Sequence, residues 1–260
     1  DSLHIDQERL RALLPTLQVH LMCGTRNPVN NILRSAAGYS FDRLNIDLDT
    51  SPGAGLRGSG HIYTLSTGAI LLDTIQWDIA QDHEGTAIKS RVSNGQKNRV
   101  VSFQSTLQAR LTATGATIHL DFIDAKGKKG VDMGLEANVT PDGVRAHMTP
   151  LNPIIAYRRF TLNKDNYVEV SRQGRLLAKV SLLADDGTGL KLYSTPNEDA
   201  LQDLSLSMNN INMAELTSVM PYAPRLGGLL HGDVHYMQAD SATTVSAGIG
   251  IHGMTYEDTP

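Results

Sequence analysis

The residues best suited to chemistry are histidines and aspartates spaced two apart. His231, Asp233 and His235 would share one face of a β-strand, and two histidines with this spacing can bind a metal ion. No further strong ligand is identifiable, so we interpret these residues as solvent-exposed polar residues on the polar side of a sheet rather than as a metal site. His119 and Asp121 repeat the spacing, but a catalytic pair also needs a nucleophile, and no Gly-x-Ser-x-Gly turn occurs. A hydrolase would require these two residues and a serine to converge in a pocket.

Two glycine-containing turns bear a partial likeness to ligand-binding loops. Residues 126–130 are rich in lysine and glycine, but they lack the phosphate-loop signature and no helix follows them. Residues 185–187 begin like a calcium loop, but the later bidentate acid is missing. We therefore predict hairpin tips at both places. We also predict a protein that is not an enzyme and has no catalytic residues, no metal and no cofactor.

Composition and charge argue against several classes of partner. The 260-residue chain has a net charge of −4 and only 5% aromatic residues, which argues against nucleic-acid binding. Its single cysteine, Cys23, excludes an internal disulfide and is expected to be a small buried thiol in a strand. No run of about 18 apolar residues is present, so no membrane-spanning helix is predicted.

An alternation of apolar and polar residues with a period of two dominates residues 100–251. Successive side chains of a β-strand point to opposite faces, so each such segment has one apolar face and one polar face. The sequence therefore predicts a mostly β fold, an extended antiparallel meandering sheet that either closes on itself or offers its apolar face as a groove to another molecule. The residues predicted to line this groove are Val101, Phe103, Leu107, Leu111, Ile118, Leu120, Phe122, Val131, Met133, Leu135, Val180 and Leu182.

Two or three short helices are expected to accompany the strands. Asn27 followed by Pro28 is typical of a helix start, and Gly38 of a helix end. Residues 55–63 resemble residues 228–236, and each stretch follows a short helix. We therefore predict a helix-plus-meander unit over residues 1–200 and the start of a second, similar unit over residues 201–260, with one continuous sheet as an alternative.

The apolar face admits two interpretations. An alternating sheet ordinarily closes into a sandwich or barrel core, in which case the protein would be a structural or adhesive β-domain that binds a protein partner. Small residues such as Ala109, Ala137 and Ala178 interrupt the apolar side of the predicted strands. They would either leave room for a guest molecule or suit the taper of a closed core.

Several short phrases resemble the TamB/AsmA-like family of Gram-negative envelope proteins, particularly the large members from Bacteroides-type bacteria. The phrases are residues 30–33, 38–41, 51–52, 55–61 and 72–75, with a second group at residues 201–206 and 226–233. The resemblance implies an extended β-gutter in the periplasm, in a protein anchored in the inner membrane by a segment outside this chain. It implies transport of phospholipid acyl chains between the two membranes, or assistance to outer-membrane assembly. A barrel partner in the outer membrane would be contacted through regions outside this chain.

Overall fold

The computed structural model describes residues 6–98, 101–197, 200–239 and 242–257. Strands account for 63% of the structure, far above the 20–25% of an average domain. Within the described residues, seventeen strands form one antiparallel sheet that does not close on itself, and three short helices accompany it. The predicted mostly β meander is thus confirmed, and an open sheet is consistent with the predicted groove. The chain divides into two compact units, residues 1–129 and 130–260.

The first unit is a meander of seven strands with two helices. Each strand pairs antiparallel with the next along the chain. The strands are β1 (Leu17–Cys23), β2 (Arg43–Ser51), β3 (Gly55–Ser66), β4 (Leu71–Gln81), β5 (Gly85–Asn94), β6 (Phe103–Thr112) and β7 (Gly115–Asp124), and the helices are α1 (Gln7–Ala12) and α2 (Pro28–Ala37).

Helix α2 begins and ends where the sequence predicts. The Asn27 side chain accepts a hydrogen bond from the Asn30 backbone N–H, and Gly38 ends the helix in the left-handed conformation. The Asn30 amide is completely buried, where it donates to the carbonyls of Thr25 and Phe41 and accepts from the Phe41 N–H. This side chain therefore fixes α2 to the start of β2. No helix in the described ranges is long and apolar enough to cross a membrane.

The second unit is also largely an antiparallel meander. Its strands are β8 (Lys129–Thr140), β9 (Gly143–Ile155), β10 (Arg158–Arg159), β11 (Thr161–Leu162), β12 (Tyr167–Ser171), β13 (Leu176–Leu183), β14 (Gly189–Ser194), β15 (Gln202–Asn212), β16 (Leu226–Gln238) and β17 (Thr243–Tyr256), and α3 (Met213–Ser218) precedes β16. Strand β9 pairs with β8, β10 and β12, and from β12 onward each strand pairs with the next. The short β11 pairs with β13.

A closed hydrophobic core lies in the second unit. Leu162, Val180 and Leu182 are each at most 5% exposed and form one cluster. Phe160, from the segment between β10 and β11, packs against this cluster together with Ile155 at the end of β9. This irregular part of the chain thus covers apolar side chains of β13.

The compact units divide after Lys129, whereas the predicted repeat boundary lies after residue 200. Strands β14 and β15 flank residue 200 and pair in unbroken register from Gly189 opposite Asn209 to Ser194 opposite Leu204. The predicted boundary therefore does not coincide with a break in strand pairing. The predicted repetition of the unit stays a prediction.

Candidate functional site

Strand pairing in the first unit assembles a broad apolar face. Residues directly opposite each other on paired strands point to the same side of a sheet, so chains of partners define rows that cross the strands. One row consists of Val19, Leu48, Gly58, Ile79, Ile88, Ala109 and Ile118. The next row consists of Leu21, Ile46, Gly60, Trp77, Ser90, Leu107 and Leu120. A third consists of Cys23, Leu44, Ile62, Ile75, Val92, Ser105 and Phe122. We call these three rows the apolar face.

The apolar face contains no charged side chain. Its hydroxyl groups are those of Ser90 and Ser105, and every other member of the three rows is aliphatic, aromatic, glycine, alanine or cysteine. The neighbouring positions on the same strands point to the opposite side and are mostly polar. An example is the row His20, Asp47, Ser59, Asp78, Lys89, Gln108 and His119. Alternation along each strand and register between strands thus place all the charged side chains of these rows on one side of the sheet and most of the apolar ones on the other.

Much of the apolar face is in contact with solvent. Leu107 is 39% exposed, Ile88 42% and Ile118 45%, although they lie on three adjacent strands of the same sheet. Large contiguous apolar surfaces are rare on soluble proteins and mark sites where a partner, a membrane or a ligand binds. The first unit therefore presents an open hydrophobic surface rather than a sealed core.

Trp77 lies near the middle of the apolar face. It is on β4, the central strand of the seven, and its partner on β3 is Gly60. A Cβ atom added at Gly60 would overlap the indole ring of Trp77, so the ring lies directly over this glycine. The chain has a single tryptophan, which makes the indole a natural reporter for anything that binds there.

At one end of the strands, the buried carboxylate of Asp73 is satisfied by hydrogen bonds from the protein itself. Asp73 precedes Ile75 by two residues on β4, and its carboxylate accepts hydrogen bonds from the backbone N–H groups of residues 95–98 at 2.6–3.0 Å. Burial raises the pKa of Asp73, but the four N–H donors outweigh it and hold the pKa below its ordinary value. The stacked rings of Phe103 and Phe122, 5.7 Å apart, are buried at the same end.

Six of the predicted groove residues lie together in the first unit. Leu107, Leu120, Ile118 and Phe122 belong to the rows of the apolar face, and Phe103 and Leu111 lie on the same side of β6. Val101 precedes β6 outside any strand and is half-buried. The list of predicted groove residues omitted those that β1–β5 contribute to the apolar face. The alternation of apolar and polar residues at 44–48 already indicated such a contribution.

The other predicted groove residues lie in the second unit and differ in burial. Leu135 on β8 is exposed, Met133 is half-buried and Val131 is buried. Val180 and Leu182 lie in the closed core around Leu162, because Phe160 and its neighbours pack over them. These two side chains therefore stabilise the second unit and are not accessible to a guest.

Two of the residues considered for chemistry, His235 and Asp121, form contacts with other side chains. His235 is hydrogen-bonded to Asp203 across β15 and β16 at 2.8 Å. This contact, with a second hydrogen bond from Asn197, holds the pKa of Asp203 below its ordinary value. In the first unit, the carboxylate of Asp121 forms a salt bridge with Lys129 at 2.9 Å. These groups form ion pairs and polar contacts on the polar, solvent-facing side of the sheet.

Comparison of the chain with protein-family models, with curated proteins and with solved structures finds no match. The resemblance to TamB/AsmA-like proteins therefore stays a prediction.

Proposed function

We propose that the apolar face of the first unit binds the acyl chains of phospholipids. In this proposal the protein is a non-enzymatic, periplasmic segment of a TamB/AsmA-like envelope protein. It carries acyl chains between the inner and outer membranes or assists outer-membrane assembly. The observation that supports the proposal is an exposed apolar surface that crosses seven paired strands without a charged side chain.

The dimensions of the apolar face suit an acyl chain. Paired strands are separated by about 4.7–4.9 Å, so a row that crosses seven strands is about 29 Å long. The hydrocarbon core of a bilayer is about 30 Å thick, so the acyl chains of one leaflet extend about 15 Å. A single row can therefore accommodate a complete chain and leave room for it to move along the row.

The chemistry of the rows also suits a mobile guest. Each methylene removed from water contributes about 0.8 kcal/mol, whatever its position on a uniformly apolar surface. The row from Val19 to Ile118 has no polar side chain that could hold a guest at one position. Binding energy would thus accumulate along the chain without deep local minima, which is what transport along a surface requires.

An acyl chain fits this surface better than a typical protein partner does. Protein interfaces form about one hydrogen bond per 100–200 Å² and concentrate their energy in aromatic and arginine anchors. The apolar face offers side-chain hydrogen-bonding groups only at Ser90 and Ser105, the indole N–H of Trp77 and the weak thiol donor of Cys23. An acyl chain needs no such groups, since it gains only from leaving water.

One observation favours the alternative, a structural or adhesive β-domain that binds a protein partner. In the second unit, Phe160 and Leu162 of the chain itself pack against Val180 and Leu182. A peptide segment can therefore seal an apolar sheet surface in this protein. A protein partner could cover the apolar face of the first unit in the same way. Only the proposed lipid-binding function predicts that free acyl chains bind to this face.

Quenching of Trp77 fluorescence by brominated acyl chains tests the proposal. Dibromostearate should quench the single tryptophan in a saturable manner, and unbrominated stearate should reverse the effect by competition. The matched control combines Trp77→Phe with Gln76→Trp, which moves the reporter to the adjacent residue on the opposite face of β4. This control should show no saturable quenching. Absence of quenching in the wild-type protein would refute acyl-chain binding and favour the partner-binding alternative.

A further inference from the structure

The polar side of the first unit contains a hollow of about 620 Å³. One row of cross-strand partners on β2–β6 lines it: Arg43, Tyr63, Thr74, Ser93 and Gln104. Three members of the next row, His61, Gln76 and Arg91, also line it. This volume is within the range of about 300–1,000 Å³ found for small-molecule sites. The hollow opens on the side of the sheet opposite to the apolar face.

An aromatic stack orients one of the arginines of the hollow. The guanidinium of Arg43 lies 4.1 Å from the centre of the Tyr63 ring. Tyr63 in turn stacks on His61, with 4.7 Å between the ring centroids. Stacking of a guanidinium on a ring face leaves the N–H groups at its edge free to donate to an anion. Arg43 is therefore held in place while it remains exposed to solvent.

The acidic groups at the rim of the hollow already have partners within the protein. The Asp42 carboxylate is paired with the ammonium group of Lys97, which also donates to the Thr64 hydroxyl at 2.8 Å. Asp73 is satisfied by the four backbone N–H groups of residues 95–98. Lys97 compensates the charge of Asp42, and the four N–H groups occupy the carboxylate of Asp73, so neither carboxylate needs the arginines of the hollow as a partner.

The two guanidinium groups, by contrast, have no acidic partner. Neither Arg43 nor Arg91 forms an ion pair within the part of the chain that the structure describes. Lys89 lies on the same side of β5 as Arg91, two residues away, but its direct partner on β4 is Asp78, so this pair adds no net charge nearby. The lining of the hollow has three positive groups, Arg43, Arg91 and Lys97, and two carboxylates, Asp42 and Asp73, so it has one excess positive charge although the chain as a whole has a net charge of −4.

We propose that this hollow binds a small molecule that has at least two oxyanion groups, either phosphates or carboxylates. Arginine forms paired hydrogen bonds to both kinds of group. Arg43 and Arg91 are on strands three apart, about 14 Å across the sheet, so two separated anionic groups can each contact one guanidinium. The amides of Gln76 and Gln104 and the hydroxyls of Thr74 and Ser93 supply donors between the arginines. The site is independent of acyl-chain binding, because it lies on the other side of the sheet.

Calorimetric titration of the full chain with tripolyphosphate and with citrate tests this inference. At least one of the two should bind with 1:1 stoichiometry at physiological salt. Binding of tripolyphosphate alone identifies a phosphate ligand, and binding of citrate alone identifies a carboxylate ligand. Binding of both supports the shared oxyanion chemistry. If neither binds, the inference is wrong.

Three variants distinguish a built site from general electrostatic attraction. Arg43→Gln and Arg91→Gln should each weaken binding about tenfold, because each substitution removes a guanidinium group that would donate hydrogen bonds to the ligand. Lys89→Gln removes the same charge from the same strand and side, but lies outside the hollow, so it should change binding less than about threefold. An equal loss in all three variants would overturn the inference. Circular dichroism verifies folding, and Arg91→Gln alone suffices if the Arg43 variant does not fold.

Discussion

The substitution Ile118→Asp should weaken acyl-chain binding and leave the protein folded. Ile118 is at the β7 end of a row of the apolar face and is 45% exposed. The substitution places a carboxylate on a surface that otherwise has no charge. An acyl chain on this row would have to remove that carboxylate from water, which is strongly unfavourable.

The magnitude follows from the exposure of the side chain. Full burial of an isoleucine contributes about 1.5–3 kcal/mol, so the 45% still exposed offers a guest about 0.7–1.4 kcal/mol. Loss of this contact alone weakens binding about three- to tenfold, and desolvation of the new carboxylate weakens it further. The buried remainder of Ile118 contributes about 0.8–1.7 kcal/mol to folding. That cost is small against a typical stability of about 5–15 kcal/mol, so the fold should persist.

Quenching of Trp77 by dibromostearate measures the effect, and Thr117→Asp is the matched control. Thr117 precedes Ile118 on β7, lies opposite Arg110 and points to the polar side of the sheet. The control adds the same charge to the same strand and should bind dibromostearate as the wild-type protein does. Equal affinity of the Ile118→Asp and wild-type proteins, with β circular dichroism unchanged, would refute the assignment of the apolar face. Equal loss in both variants would point to a charge effect without a specific site.

Three further substitutions test packing and polar contacts within the two units. Leu182→Ala should lower the free energy of unfolding in urea by about 2–5 kcal/mol, because it opens a cavity in a core where Leu182 is 5% exposed. Asp73→Asn should lower the free energy of unfolding at neutral pH. Since backbone N–H groups hold the pKa of Asp73 below its ordinary value, the difference from wild type should disappear as the pH falls through the lowered pKa. Gly60→Ala should displace the Trp77 ring, shift its emission maximum and cost about 1–3 kcal/mol in thermal or urea unfolding.

Each of these substitutions has a control in the same chain. Leu135→Ala removes an exposed leucine and should cost clearly less than Leu182→Ala. Asp78→Asn changes an exposed aspartate on the same strand as Asp73 and should not reproduce its loss of stability at neutral pH. Gly24→Ala adds a methyl group in open space and should leave Trp77 emission unchanged. If a control substitution changed the free energy of unfolding, or the Trp77 emission, as much as the substitution it is paired with, the structural explanation for that site would be wrong.

Local features of the structure could be predicted from the sequence because short-range rules dictate them. The cap at Asn27, the first helical position at Pro28 and the left-handed Gly38 depend on neighbouring residues alone, and α2 has these bounds. The side of the sheet on which Leu107 and Ile118 lie follows from the two-residue period of a strand. Register between strands then preserves this separation.

The hollow on the polar side could not be predicted, because its parts come from separate strands. Arg43 and Tyr63 meet only through the pairing of β2 with β3, and Arg91 joins them through β4 and β5. The sequence shows three ordinary polar positions in strands. Only the register places them around one space.

The sequence by itself determined that each strand has an apolar side and a polar side, because the period of a β-strand does not depend on what surrounds it. Only the tertiary structure decided which apolar sides remain open. Val180 and Ile118 lie in segments with the same alternation, yet the first is 5% exposed and the second 45%. The difference arises because Phe160 and Leu162 fold against β13, whereas no described segment covers Ile118 to a comparable degree. Burial depends on contacts between residues distant in the chain, and alternation within one strand carries no information about them.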